Sequence, residues 1–215
     1  MYKPFLIYTA LGDSLTKGRG AFFSPNFVQS YAQMAQEVFN KQVVVHNYSK
    51  GGLTSEQILS MFFDPGIRYA IYHSDLLTIT AGGNDLLKAG KRFILSRNDS
   101  VLNRASNKAL KNIEKMIDEI ASIKSSTKAP YLIRIVDLYN PVPQVQDSDY
   151  WIRLFNYKLK KKFTRKNIAV TNIHPKFKKE KKKFLSVDGL HPNKRGYRTI
   201  AENLHQLGYE PLLEG

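Results

Sequence analysis

Short apolar, β-branched runs alternate with helix-period segments along most of the chain, and this alternation narrows the available folds more than any other feature. Phe5–Leu11, Val43–Asn47, Leu76–Ala81, Tyr131–Leu138 and Ile168–Ile173 read as strands. Between them, Phe27–Phe39, Ser55–Phe62, Asn103–Ser122 and a segment from about Asp149 to Phe163 read as helices. In Asn103–Ser122, the residues Ala105, Leu110, Ile113, Met116, Ile117 and Ile120 mostly repeat at i, i+3, i+4 and i+7. A last helix starts near Asn193, a suitable N-cap, and runs to about Leu207, where Gly208 stops it. Strands that alternate with helices imply parallel pairing and right-handed crossovers. The expected fold is therefore a three-layer α/β/α sandwich around a parallel sheet of about five strands. Residues 86–104 fit no strand and read as a helical insertion. With neither repeats nor a linker, residues 1–215 are expected to form a single domain.

In such sheets the ligand crevice lies beyond the carboxyl ends of the strands. Three short segments follow the first three strands there: Gly12-Asp13-Ser14-Leu15, Gly51-Gly52 and Gly82-Gly83-Asn84-Asp85. A fourth, Asp188-Gly189-Leu190-His191, precedes the last helix. Each has a plain structural reading. Ser14 caps a helix, Asn84 sits in a loop turn, Gly52 fills a left-handed turn, and Asp188 with His191 forms a capping turn. Together the segments supply a nucleophile, a base, an orienting carboxylate and oxyanion donors, which is the set that acyl transfer requires. His191 is the best placed of five histidines for the base. His46 lies within an apolar strand and reads as a packed core residue, and His205 lies late in the last helix. Asp13 and Asp85 read as caps or supporting groups.

On these four segments the chain resembles the GDSL esterases and lipases, also called SGNH hydrolases, from about residue 7 to residue 205. It is similar to small bacterial members, among them lipases of spore-forming bacteria. The resemblance implies a flavodoxin-like fold, with Ser14 as nucleophile, His191 as base and Asp188 as its orienting carboxylate. It implies an oxyanion hole made by the Ser14 and Gly52 N–H groups and the Asn84 side chain, and a reaction with no metal and no organic cofactor. One departure is Ser49, where relatives often carry the first glycine of the second segment. That leaves Gly51 and Gly52 as alternatives for the donor, and the spacing from Asn47 favours Gly52. The expected activity is hydrolysis of acyl esters, with phospholipid or lysophospholipid as substrate class. A carbohydrate deacetylase or an acyltransferase on the same scaffold is the alternative, and a non-enzymatic binder with a basic surface is the third reading.

Composition trims these options. The absence of cysteine excludes a disulfide framework and a thiolate nucleophile. No apolar run reaches a membrane span, and Phe5–Leu11 is too short for a secretion signal. The expected location is the cytoplasm, or a spore or membrane surface. Net charge is +15, much of it between Lys158 and Lys183. This stretch reads either as a solvated face or as a site for an anionic membrane surface. Nucleic acid is disfavoured because few aromatics interleave the lysines. Oligomeric state has no signature. Phe22, Phe23, Phe27, Phe62 and Phe63 flank the motif loops and read as walls of an acyl groove or as core.

Overall fold

In the computed structural model, which describes residues 3–127 and 129–213, the run Leu76–Thr80 (β3) is buried at every position. It lies mid-sheet, and a strand covered on both faces needs apolar or small side chains throughout. Around it stand β1 (Phe5–Gly12), β2 (Gln42–Ser49), β4 (Leu132–Ile135) and β5 (Ile168–Val170), all parallel, in the order β2-β1-β3-β4-β5. The edge strand β2 has no buried residue. His46 is accordingly half-buried there and stacks on Tyr48, rather than lying in the core.

The helices are α1 (Ser14–Lys17), α2 (Phe27–Phe39), α3 (Ser55–Ser60), α4 (Pro65–His73) and α5 (Gly83–Ser96), then α6 (Asp99–Lys124), α7 (Ser148–Phe163), α8 (His174–Lys179), α9 (Lys181–Phe184) and α10 (Lys194–Gln206). Strand side chains alternate between faces. Leu11, Leu77, Ile79, Ile133 and Ile135 face the layer of α3 to α7. Tyr8, Ala10, Leu76 and Leu132 face α2, α8 and α10. The result is the three-layer α/β/α sandwich.

Local signals explain the ends of the helices. Asn26 accepts from Val28 and Gln29 N–H while the Gln29 amide oxygen accepts from Asn26 N–H, a capping box that starts α2. Asn193 accepts from Arg195 and Gly196 N–H at the start of α10. In α6 the buried Leu102, Ala109, Leu110, Ile113, Met116, Ile117 and Ile120 make one stripe. A cap is worth about 1 kcal/mol and each fully buried Ile or Met about 1.5–3 kcal/mol. The stripe, not the cap, holds α6.

Three boundaries differ from expectation for identifiable reasons. Helix α4 lies in residues 63–75, where no element was expected; Asp64 caps it through Ile67 N–H and Pro65 sits in its first turn. The strand expected to reach Ile173 ends at Val170, because the buried Asp137 carboxylate takes the Ile173 N–H and the Thr171 hydroxyl. The strand expected to run to Leu138 ends at Ile135, beyond which Leu138 bonds through its N–H and carbonyl to the Asn156 side chain. Residues 86–104 fall in α5 and the first turns of α6.

Candidate active site

The strand order reverses at β1: the chain leaves it for β2 on one side and returns to β3 on the other. A crevice opens outside the carboxyl ends at such a switch point. Gly12 ends β1 there. A Cβ on it would lie 2.1 Å from Thr80 Oγ1 and 2.8 Å from the Thr80 carbonyl, so only glycine lets β1 and β3 close at this level. Asp13 and Ser14 follow directly. The Asp13 carboxylate accepts from Leu15 N–H at 3.0 Å and from the Thr80 hydroxyl at 3.0 Å, while Thr80 Oγ1 accepts from Asp13 N–H. This knot fixes the turn that presents Ser14. Burial pushes the Asp13 carboxyl up to about 6, against the lowering effect of its Leu15 and Thr80 hydrogen bonds and of His191. Helix α1 is a single turn, too short to supply a sizeable helix dipole at Ser14.

His191 arrives from the far end of the chain. Its Nε2 lies 3.0 Å from Ser14 Oγ, and its Nδ1 lies 2.7 Å from Asp188 Oδ2. The three-residue spacing has a mechanical reason. Asp188 Oδ1 accepts from Leu190 N–H at 3.0 Å and from His191 N–H at 2.9 Å, closing an Asx-type turn. Its other oxygen is thereby aimed at the imidazole. Burial raises the Asp188 carboxyl, but the hydrogen bonds from His191 N–H, the imidazole and Leu190 N–H outweigh it and hold the group well below the usual carboxylate range. The buried Tyr139 hydroxyl donates to the Leu190 carbonyl at 2.7 Å and braces the same turn.

Asn84 stands in the first turn of α5. Its amide donates to the Leu53 carbonyl at 2.9 Å and to Asp13 Oδ2 at 3.4 Å, bridging the second motif loop and the serine turn. Gly51 runs beside Ser14; a Cβ on it would lie 4.0 Å from Ser14 Cβ. Gly52 has φ +80°, a left-handed conformation that favours glycine. Asp85 caps a helix other than its own: it accepts from Ser55 N–H at 2.8 Å and from the Ser55 hydroxyl at 2.7 Å, at the start of α3. This bond ties the Gly51–Thr54 loop to α5. Thr80, Tyr139 and the cross-helix role of Asp85 were not apparent in the sequence, since their partners are 67, 51 and 30 positions away.

A cavity of about 240 Å³ opens from Ser14 and His191. Its walls come from α5, the start of α6, the loop after β4 and α7, mainly as hydrocarbon side chains. None of Phe22, Phe23, Phe27, Phe62 and Phe63, which read as groove walls or as core, lines it. Phe27 and Phe62 are fully buried core residues, whereas Phe22, Phe23 and Phe63 are exposed. Among the described residues, no group of three or more His, Asp or Glu is arranged to hold a metal ion.

The model of the GDSL-like lipase/acylhydrolase family matches residues 10–199. Spore germination lipase LipC of Bacillus licheniformis is 39% identical over 208 residues, covering 96% of this chain and 98% of that protein. The solved structure of the lipase Lip_vut3 from a goat rumen metagenome superposes with a TM-score of 0.92 at 39% identity, covering 96% of this chain and 99% of that one. The acetylxylan esterase Axe2 of Geobacillus stearothermophilus shares the fold, with a TM-score of 0.64 at 16% identity, over 96% of this chain and 95% of its own.

Proposed function

This chain belongs to the GDSL-like lipase/acylhydrolase family and is a carboxylic ester hydrolase, and from that premise we propose that Ser14, His191 and Asp188 carry out the hydrolysis. The observation that carries the reading is the continuous hydrogen-bonded line from Ser14 Oγ through the imidazole to Asp188, at 3.0 and 2.7 Å. An unassisted serine hydroxyl is a weak nucleophile at neutral pH. In the proposed reaction His191 Nε2 takes the Ser14 proton as Oγ attacks the ester carbonyl. Asp188 holds the Nδ1–H tautomer and stabilises the imidazolium. The oxyanion is received by the Ser14 and Gly52 N–H groups and by Asn84, whose longer bond to Asp13 is the one it gives up. His191 then protonates the leaving alcohol, and the acyl-enzyme is hydrolysed by water activated in the same way. Ser14→Ala or His191→Ala is expected to cut kcat by about 10⁴ to 10⁶, and Asn84→Ala by about 10² to 10³. A near-normal rate for Ser14→Ala on a chromogenic ester contradicts the assignment.

For the substrate we infer a lipid ester, phospholipid or lysophospholipid, met at an anionic surface. Two features support this. Gly20 packs against His191 and Ser186, so the exposed Phe22, Phe23 and Val187 stand close to the His191 turn. The lysines of α8 and α9 lead directly into the same turn. An acetyl esterase acting on carbohydrate has only fold likeness in its favour, to Axe2 and other carbohydrate esterases at 14–19% identity, and a hydrocarbon cavity beside the nucleophile argues against it.

A further inference from the structure

Gly90 lies in the interior of α5, where glycine costs about 1 kcal/mol relative to alanine. Neither of the usual reasons for glycine applies. Its φ is not positive, and a Cβ built on it meets nothing within 4 Å. What that Cβ would enter is the cavity, which Gly90 lines together with Leu86, Phe93, Leu102, Trp151 and Ile152. Leu86, Gly90 and Phe93 recur at i, i+4 and i+7, so they occupy one stripe of α5. That stripe begins near Asn84, at the reacting carbonyl. Six residues of helix separate Asn84 from Gly90, about 9 Å at the ordinary helical rise. This is the reach of a medium-length acyl chain, not of an acetyl group.

We propose that this cavity holds the fatty acyl chain of the substrate and that the missing side chain at Gly90 sets the chain length it admits. The inference rests on the Ser14 reading above and goes beyond it by naming the acyl part of the substrate. Each methylene laid against Leu86, Phe93 and Ile152 leaves water and adds to transition-state binding, provided the channel stays open past Gly90. A side chain at position 90 projects into that channel and shortens it.

The test is kcat/KM on p-nitrophenyl acetate, butyrate, octanoate and laurate for the wild type, Gly90→Ala, Gly90→Leu and Gly90→Phe. The wild type is expected to favour octanoate over acetate by at least about tenfold. Leucine or phenylalanine is expected to lower the octanoate-to-acetate ratio by at least about tenfold, and alanine to lower the laurate-to-octanoate ratio. Because each readout is a ratio within one preparation, it does not depend on the fraction of the variant that folds. Gly90→Ala keeps the test open should a larger side chain abolish turnover. Ratios within twofold of the wild type across all three variants overturn the proposal, as does a wild type that prefers acetate. Full activity in Ser14→Ala overturns the parent reading instead.

Discussion

Asp188 serves its own turn with one carboxylate oxygen and the His191 ring with the other. The two roles can be separated. Asp188→Asn keeps an oxygen for the Leu190 and His191 N–H groups but sets an amide nitrogen against Nδ1, which favours the wrong tautomer. It is expected to lower kcat by about 10² to 10⁴ with little change in melting temperature. Asp13 gives a second test, with the opposite sign to most carboxylates. Its pKa is raised from 3.8 to about 6. Between these values the unfolded chain has released its proton while the folded chain retains it. The stability that Asp13 contributes is thus full below about pH 4, falls as pH rises through the window, and stays lower above 6. Two units correspond to about 2–3 kcal/mol. Asp13→Asn does not titrate, so its melting temperature is expected to gain on the wild type from pH 4 to pH 7; a constant difference contradicts the burial argument. At this scale the motif residues were legible because short segments at strand ends announce themselves. Thr80 and Tyr139 were not, since a threonine ending a strand and a tyrosine after one have no signature until the fold supplies their partners.

The elements that hold the site are tied by side-chain bonds between loops and helices, and Asp85 makes one of these ties. It joins α5 to the start of α3, and with it the loop bearing Gly51 and Gly52. Asp85→Ala leaves the Ser55 N–H without its cap. Chemical denaturation is expected to show a loss of about 1–2 kcal/mol, and kcat/KM to fall by about tenfold as the loop drifts. An unchanged rate contradicts a positioning role. Strong periodicity made Phe27–Phe39 and the body of α6 readable in advance. Helix α4 is only nine residues long, and its signal was the Asp64-Pro65 start rather than an apolar stripe. The ends of β4 and β5 were illegible for a different reason. Asp137 and Asn156 take over the backbone groups that a longer ladder would use, and a buried polar side chain announces no such competition in sequence.

At the scale of the whole molecule, the proposal of a lipid ester met at an anionic surface rests on charge and cavity. The basic stretch is not bare: Lys162, Lys178 and Lys183 pair with Glu114, Asp149 and Glu180. Such exposed pairs are worth about 0–1 kcal/mol and matter more for local neutralisation than for stability. The net charge of +15 remains. Among the described residues no helix is long and apolar enough to cross a membrane. Hydrolysis of acidic vesicles is expected to outpace that of neutral ones at low salt, and the difference to fade as the screening length shrinks from about 10 Å at 0.1 M to about 3 Å at 1 M. Equal rates on both vesicles remove the electrostatic case. The central claim, that the Ser14 hydroxyl is the nucleophile activated by His191, is tested most directly by intact-protein and peptide mass spectrometry after treatment with a serine-reactive fluorophosphonate. The account predicts one adduct per chain, on the peptide carrying Ser14, abolished in Ser14→Ala and strongly slowed in His191→Ala. An adduct on another residue, or equal labelling of the Ser14→Ala protein, contradicts it.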